Sequence, residues 1–256
     1  MFPVIYWFEL SIVLPLFYEI NSFGYIIHCI IGTYLLINVV SNYVAVFLTD
    51  TSIEGKFLSS ELKPNWKFCE ICECITPPRS WHCDVCNVCI LKRDHHCNFT
   101  SCCIGHYNHR YFIVFLFYFT IAATYCSYFN IFYILKYTSF NVIGFLKLLL
   151  PLAAFLFGHD VFTLQFHRLL CILTFVALVA GGTILIYHLL NIFNGTVTYE
   201  RAKNIKDYDL GNKIDNIKQV LGKKWYLTLL TPFIASELPC DGINWDKIKQ
   251  LSAKAK

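Results

Sequence analysis

The chain has 256 residues, 56% hydrophobic, 17% aromatic and 15% charged, with a net formal charge of +4 and a mean hydropathy of +0.51. A soluble domain averages roughly 25% charged residues, so these proportions exclude an ordinary water-soluble globule. No basic stripe interleaved with stacking aromatics is present, which excludes nucleic acid as the partner.

Residues 2–18, 24–48, 111–135 and 169–193 are long runs almost free of charge. Crossing a bilayer takes about 20 apolar residues, so the sequence predicts four transmembrane helices. The first is short and carries Glu9. A carboxylate in a span marks a functional site by default, with a position near the interface as the other reading. That run has neither a basic leading region nor a small-residue cleavage site and is therefore read as a span, not a cleavable signal. Residues 142–158 are apolar but contain Lys147 and Pro151. They are predicted to be a lumenal, interfacial or re-entrant piece.

Lysine and arginine set the orientation. None lies in residues 1–48, seven lie in 49–110, three in 136–168 and eleven in 196–256. Positive residues stay on the cytosolic side, so residues 49–110 and the C-terminal tail are expected there, with the turn near Asn21–Phe23 on the other side. A fifth crossing by residues 142–158 would send the basic tail across, which is why that stretch is not read as a span.

Between the second and third spans the chain writes one pattern twice, fourteen residues apart. Cys69, Cys72, His82 and Cys89 form one copy; Cys83, Cys86, His96 and Cys103 form the other. Each reads Cys-x2-Cys-x9-His-x6-Cys, so the copies interleave. Nine of the 13 cysteines fall in this segment. A disulfide framework is the plain alternative, but a cytosolic segment is kept reduced. Repeated Cys-x2-Cys with histidines reads as two structural zinc sites. With three thiolates and one imidazole each, both are closed, and neither ion has an open position for chemistry.

The pattern leaves a remainder. Cys97 follows His96 as Cys83 follows His82, but three residues on stands Thr100 where a second cysteine would be. Cys97 is therefore free of metal in the run Asp94-His95-His96-Cys97. His95 can take its proton, and Asp94 can hold that imidazole in one tautomer, which makes Cys97 a candidate nucleophile. His96 is occupied by metal and pins its neighbours. The plain alternative is that Asp94 and His95 are loop polars and Cys97 is idle. Cys74 breaks no spacing; Cys102 is a spare thiol or an acylation site.

Residues 69–112 resemble the cysteine-rich domain of the DHHC family of protein S-acyltransferases. The matching residues are the two Cys-x2-Cys pairs, Pro78-Arg79 with His82-Cys83, the Asp94-His95-His96-Cys97 run, Cys103-Ile104-Gly105, and Asn108-His109-Arg110-Tyr111-Phe112. Thr198-Tyr199-Glu200 resembles the family's Thr-Thr-x-Glu motif. Tyr208 to Asn216 and Gln219 to Gly222 resemble its C-terminal motif. The tail from Trp225 to Trp245 looks most like the small branch numbered twenty-four in mammals.

The resemblance implies a two-step transfer. Cys97 takes a palmitoyl or similar long chain from acyl-CoA, and a membrane-proximal cysteine of a target protein then takes it from Cys97. It implies two structural zinc ions, an acyl tail held in a cavity among the spans, and support from Thr198 and Glu200. Lys67, Arg79, Lys92 and Arg93 can meet CoA phosphates, with a solvated face as the other reading.

The chain departs from the family pattern at Asn98-Phe99, where Pro-Trp is usual, at Cys102, where Asn is usual, and at Val197, where the first Thr is usual. A catalytically weak or inactive zinc-folded membrane scaffold is therefore the alternative. A zinc ubiquitin ligase would leave Asp94, His95 and Cys97 unexplained, and no repeated arrangement of spans suggests a transporter. The expected fold is an α-helical multi-pass membrane protein of four transmembrane helices with a cytosolic zinc-binding domain between the second and third. Its divisions are residues 1–48 (two spans), 49–110 (zinc domain), 111–195 (third and fourth spans) and 196–256 (cytosolic tail). An endoplasmic reticulum or Golgi membrane suits the span lengths. In the tail, Ile214, Ile217, Val220 and Leu221 recur at helical spacing and predict a core-facing helix over Ile214–Leu221.

Overall fold

The computed structural model describes residues 2–137, 141–150 and 162–254. The chain divides into two compact units. One comprises Met1–Val40 and Leu116–Leu185, the other Ser41–Phe115 and Ile186–Lys256.

The first unit is helical. Helix α1, Phe2–Phe8, passes into a π-helical turn at Glu9–Val13 and a 3-10 turn at Leu14–Leu16. Pro15 lacks the N–H that would bond a carbonyl one turn earlier, and the regular helix gives way around it. Three helices form the long elements: α2 (Phe23–Leu48), α3 (His109–Tyr137) and α5 (Phe162–Phe193). Among the described residues, Phe23–Leu48, His109–Tyr137 and Leu164–Phe193 are long and apolar enough to cross a membrane. Ile30, Ile37, Leu173 and Val176 point outward, as apolar side chains do where the surroundings are hydrocarbon. These helices make the chain an integral membrane protein.

The predicted first span is the apolar stretch Phe2–Leu16. Its regular rise gives about 22 Å, against about 30 Å of hydrocarbon. Phe8, Val13 and Leu14 are buried with Phe129 and Leu170. Glu9 is buried as well and accepts a hydrogen bond from Asn130 Nδ2, so in this unit the carboxylate has a polar partner. A cavity of about 390 Å³ is lined by apolar side chains including Tyr6, Leu35, Val39, Phe119 and Leu173, with Glu9 on its wall. Helix α4, Val142–Leu149, is capped by Asn141, whose side chain accepts from Gly144 N at 2.7 Å. Residues 151–158 of the predicted re-entrant piece lie outside the described residues.

The second unit contains three antiparallel hairpins: β1 (Lys67–Cys69) with β2 (Cys74–Thr76), β3 (Trp81–Cys83) with β4 (Val88–Ile90), and β5 (His95–Cys97) with β6 (Cys102–Ile104). Each is its own two-stranded sheet. Successive hairpins are offset by fourteen residues, so Cys69, Cys83 and Cys97 occupy one position and Cys74, Val88 and Cys102 face them. The connecting loops repeat too: Glu73, Asn87 and Ser101, again fourteen apart, all take positive φ near 50°. A lone two-stranded hairpin is marginal in water, and strands of three residues bury little, so these loops require a cross-link.

The tail packs in the same unit as short helices: α6 (Thr198–Ala202), α7 (Lys213–Leu221), α8 (Trp225–Thr228) and α9 (Asp246–Lys254). Helix α7 starts where Asn212 accepts from Ile214 N at 3.0 Å and ends at Gly222, φ +80°, the expected chemistry at each end. Its buried face differs from the predicted stripe. Asn216, Gln219, Val220 and Leu221 are buried while Ile214 is exposed. The helix is turned by polar anchors. Asn216 Nδ2 donates to Phe193 O at 2.9 Å and to Asp209 Oδ1 at 2.7 Å, and Gln219 Nε2 donates to Tyr208 O at 3.0 Å.

Candidate active site and metal centres

The first hairpin and its neighbour bring Cys69, Cys72, His82 and Cys89 together; the second and third bring Cys83, Cys86, His96 and Cys103 together, each set within 4.8 Å. In the first set the sulfurs stand 3.9, 3.3 and 3.9 Å from His82 Nδ1. In the second they stand 3.7, 3.3 and 3.8 Å from His96 Nδ1, and Cys86 and Cys103 sulfurs are 3.7 Å apart. Bonds of about 2.3 Å to sulfur and about 2.0–2.1 Å to nitrogen in a tetrahedron place sulfur about 3.5–3.6 Å from nitrogen and about 3.8 Å from sulfur. Both sets fit a zinc ion in spacing and donor chemistry. The knuckle geometry agrees: Cys72 N donates to Cys69 Sγ and Cys86 N to Cys83 Sγ, both at 3.5 Å.

The third hairpin carries the remainder. Along β5, His95 and Cys97 alternate with His96, so they share the face opposite the metal-facing imidazole. Asp94, buried just before the strand, accepts from His95 Nδ1 at 2.7 Å. Thr198 braces the same carboxylate: its N–H donates to Oδ1 at 2.8 Å and its hydroxyl to Oδ2 at 2.9 Å. With Nδ1 engaged, the other ring nitrogen of His95 is left for Cys97, whose side chain lies on the same face of the strand.

The electrostatics follow from these contacts. Burial would raise the Asp94 carboxyl, but the His95 hydrogen bond and the surrounding imidazoles hold it well below the usual carboxylate range. Burial would lower His95; the hydrogen bonds to Asp94 and then Cys97 reverse this and raise it to about 9. Burial pushes the Cys97 thiol up, but the hydrogen bond to His95 and those from the Thr100 side chain and backbone bring it down to about 7. Cys97 and His95 thus favour a thiolate beside an imidazolium. Thr100 stands where the knuckles of the first two hairpins have Cys72 and Cys86. Cys97 sits in a knuckle whose second sulfur has been replaced by a hydroxyl.

Asn98 and Phe99, the departures beside Cys97, are exposed. Phe99 is nonetheless held: its ring stacks on Phe115 at 5.9 Å and meets Tyr43 edge-on at 5.8 Å. On the other side of the hairpin, Gly105 admits no side chain. A Cβ there would lie 2.7 Å from the Leu91 carbonyl and the Thr51 hydroxyl.

The arrangement of closed metal sets around a thiol, imidazole and carboxylate is matched by sequence comparison. The chain fits the profile of the DHHC palmitoyltransferases over residues 62–205, more than half its length. It belongs to the DHHC palmitoyltransferase family. It is 35% identical over 236 residues to a probable palmitoyltransferase ZDHHC24 of Danio rerio, spanning 89% of this chain and 78% of that one. The corresponding proteins of Mus musculus and Homo sapiens are 35% and 33% identical, each match spanning 84% of this chain and 76% of theirs.

Two cations expected to meet CoA phosphates in this DHHC protein are placed otherwise. Arg79 is buried, forks onto Glu200 through Nε at 2.7 Å and Nη2 at 2.6 Å, and donates to Gly195 O at 3.0 Å. Its guanidinium also lies 4.3 Å and 4.7 Å from the ring centres of Tyr208 and Trp245. Lys92 is buried too, donating to Gln219 O at 3.0 Å, and burial followed by repulsion from Arg79 lowers it to about 7. Both hold the tail motifs in place instead of facing solvent. Lys67 is exposed and Arg93 half-buried.

Glu200 also accepts from Val197 N at 2.9 Å, which is one half of a capping box. Val197 has no oxygen to supply the other half. The DHHC motif residues Arg79 and Glu200 were each visible in the sequence, but their pairing 121 residues apart was not.

Two further residues beside Asp94 were not foreseen there, although His109 belongs to a motif read in the sequence. His188, on α5, places Nδ1 3.6 Å from Asp94 Oδ2 and its ring 5.2 Å from that of His95. His109, at the start of α3, is the third buried member of this group: a ring nitrogen of His109, one of His188 and an Asp94 oxygen lie within 4.8 Å of one another. The Asp94 oxygens already accept from His95 and Thr198, so these imidazoles are read as polar walls around the carboxylate. An ionisable residue inside an apolar run is the sequence signal that marks His188.

Proposed function

We propose that this protein S-palmitoyltransferase works through an acyl-enzyme on Cys97, with His95 as its acid–base partner and Asp94 as the orienter of His95. The Cys97 thiolate attacks the thioester carbonyl of a long-chain acyl-CoA, and the carbon–sulfur bond to CoA breaks. The His95 imidazolium gives its proton to the departing CoA sulfur. In the second half, a target cysteine loses its proton to His95 and attacks the Cys97 thioester. Cys97 leaves as thiolate and the imidazolium is restored. Atoms and charges balance over both halves. The observation that carries this reading is the line Thr198–Asp94–His95–Cys97, buried at its base and ending in a thiol on the face away from the metal set.

Cys69, Cys72, His82 and Cys89 would hold one zinc ion and Cys83, Cys86, His96 and Cys103 the other. The ions supply cross-links for hairpins too short to fold alone, with binding on a scale of about 10–16 kcal/mol in small zinc domains. His96 and Cys103 face each other in the third hairpin, so the second set fixes the strands that carry His95 and Cys97.

We place four spans in the membrane, counting Phe2–Leu16, with residues 49–110 and 196–256 on the cytosolic side of an endoplasmic reticulum or Golgi membrane. The lysine and arginine distribution supports that orientation. Substrates are then acyl-CoA and proteins with membrane-proximal cysteines. The apolar cavity of the first unit is a volume suited to hydrocarbon.

The test is loading of the detergent-purified protein with labelled palmitoyl-CoA. A hydroxylamine-labile label at Cys97, absent in Cys97→Ser with zinc retained, is the expected result. No label at any acyl length, with two zinc ions still bound, would replace the enzyme with a zinc-folded scaffold.

A further inference from the structure

Cys102 has no part in either metal set. In the middle hairpin the same position is Val88, so the repeat does not call for a thiol there. In the third hairpin Cys102 is the direct partner of Cys97. Residues directly opposite in an antiparallel pair have Cα atoms about 4.5–5.5 Å apart and put their side chains on one face. That face also carries His95. Cys102 Sγ lies 3.5 Å from the hydroxyl of Thr100, in the loop that joins the two strands. Cys102 is half-buried, with its Sγ also 3.9 Å from Val46 O.

We infer that Cys102 is a second acyl site: the chain carried by Cys97 passes across the hairpin to Cys102, leaving Cys97 free to load again. The inference rests on the acyl-enzyme proposed above. In the step, the Cys102 thiol gives its proton to His95 and attacks the carbonyl carbon of the Cys97 thioester. A new carbon–sulfur bond forms at Cys102 as the one at Cys97 breaks. Cys97 leaves as thiolate beside the protonated His95. One thioester replaces another, and no oxidant, reductant or co-reactant is needed. Holding donor and acceptor on one rigid hairpin makes the exchange intramolecular, the situation in which effective concentrations become very high.

The full-length protein in detergent is incubated with labelled palmitoyl-CoA and no acceptor protein. Loading is followed by stoichiometry and by tandem mass spectrometry of the peptide spanning residues 94–110. The expected course is label at Cys97 first, then at Cys102, rising from one to two acyl groups per chain. Cys102→Ser is expected to halve the final stoichiometry, and Cys97→Ser to abolish label at Cys102. Label that saturates at Cys97 with none at Cys102 overturns the inference and leaves the acyl-enzyme standing. Label at Cys102 in Cys97→Ser also overturns it, because the acyl group would then arrive directly from CoA. Label at neither residue overturns the acyl-enzyme itself.

Discussion

Replacing His95 with Ala removes the largest influence holding the Cys97 thiol down and leaves burial, which raises it, less opposed. A thiol at about 7 is about half ionised at pH 7; returned to about 9 it is only about 1% thiolate, a loss of roughly 50-fold in the reactive form. A more basic thiolate is a better nucleophile, and a Brønsted coefficient of about 0.4–0.5 over about two pKa units restores roughly eightfold. Toward a small disulfide probe, the variant should therefore react about sixfold more slowly at pH 7 and faster than the parent above about pH 9. Loading from palmitoyl-CoA should fall much further, because His95 also handles the proton of the CoA sulfur; such acid–base roles contribute about 10²–10⁴-fold. The parent's loading rate should rise with pH through about 7, as Cys97 ionises, and fall above about 9, as His95 loses its proton. The assay is peptide-resolved modification and acyl loading at Cys97 from pH 6 to 10, with zinc content measured alongside. Parallel pH profiles for parent and variant would refute the coupling of the two side chains.

The two histidines separate by metal content: His96→Ala should lose about one zinc ion per chain while His95→Ala keeps both, and elemental analysis showing equal loss would overturn their division of roles. Glu200→Gln strands the Arg79 guanidinium, whose side chain is 0% exposed. Breaking a buried pair from one side costs about 3–5 kcal/mol, so a marked drop in apparent unfolding temperature is expected, and an unchanged one would mean the pair does not brace the tail. Lys92 has a folded-state pKa near 7, below its ordinary 10.5. The unfolded chain therefore binds the extra proton between those values, and stability should rise with pH across that window. Lys92→Met should remove this rise; identical pH dependence of unfolding in both proteins would count against a buried cation.

The fourteen-residue offset was legible in the sequence because a metal set prescribes residue types at fixed spacing. Cys69, Cys72, His82 and Cys89 and their shifted copies are brought together as that spacing requires. The Asp94-His95-His96-Cys97 run was legible for the same reason, by subtraction: metal ligands are countable, and Cys97 was left over. Thr100 marks the missing second cysteine of that register, and the third loop repeats the positive φ of the other two at Ser101. The buried face of α7 was legible only in part: Val220 and Leu221 are buried as the periodicity predicts, while Asn216 and Gln219 are buried and Ile214 is not. Hydrophobic periodicity chose Ile214, whereas hydrogen bonds from Asn216 and Gln219 to Tyr208, Asp209 and Phe193 turned the helix. Arg79 and Lys92 were misread because a cation in a loop between spans looks solvated until the element that covers it is known.

What the sequence determined by itself was local and chemical: apolar runs long enough for a bilayer, two interleaved ligand sets, and one thiol without a metal beside a histidine and an aspartate. Those follow from composition and from spacings of at most 34 residues, over which a hairpin and its ligands are nearly self-contained. The tertiary structure alone decided what surrounds that thiol. Thr198 reaches Asp94 across 104 residues and Glu200 reaches Arg79 across 121, while His188 and His109 arrive on separate helices. Such pairings depend on how remote segments are folded back, and a charge on a linear chain does not reveal which opposite charge will share its burial.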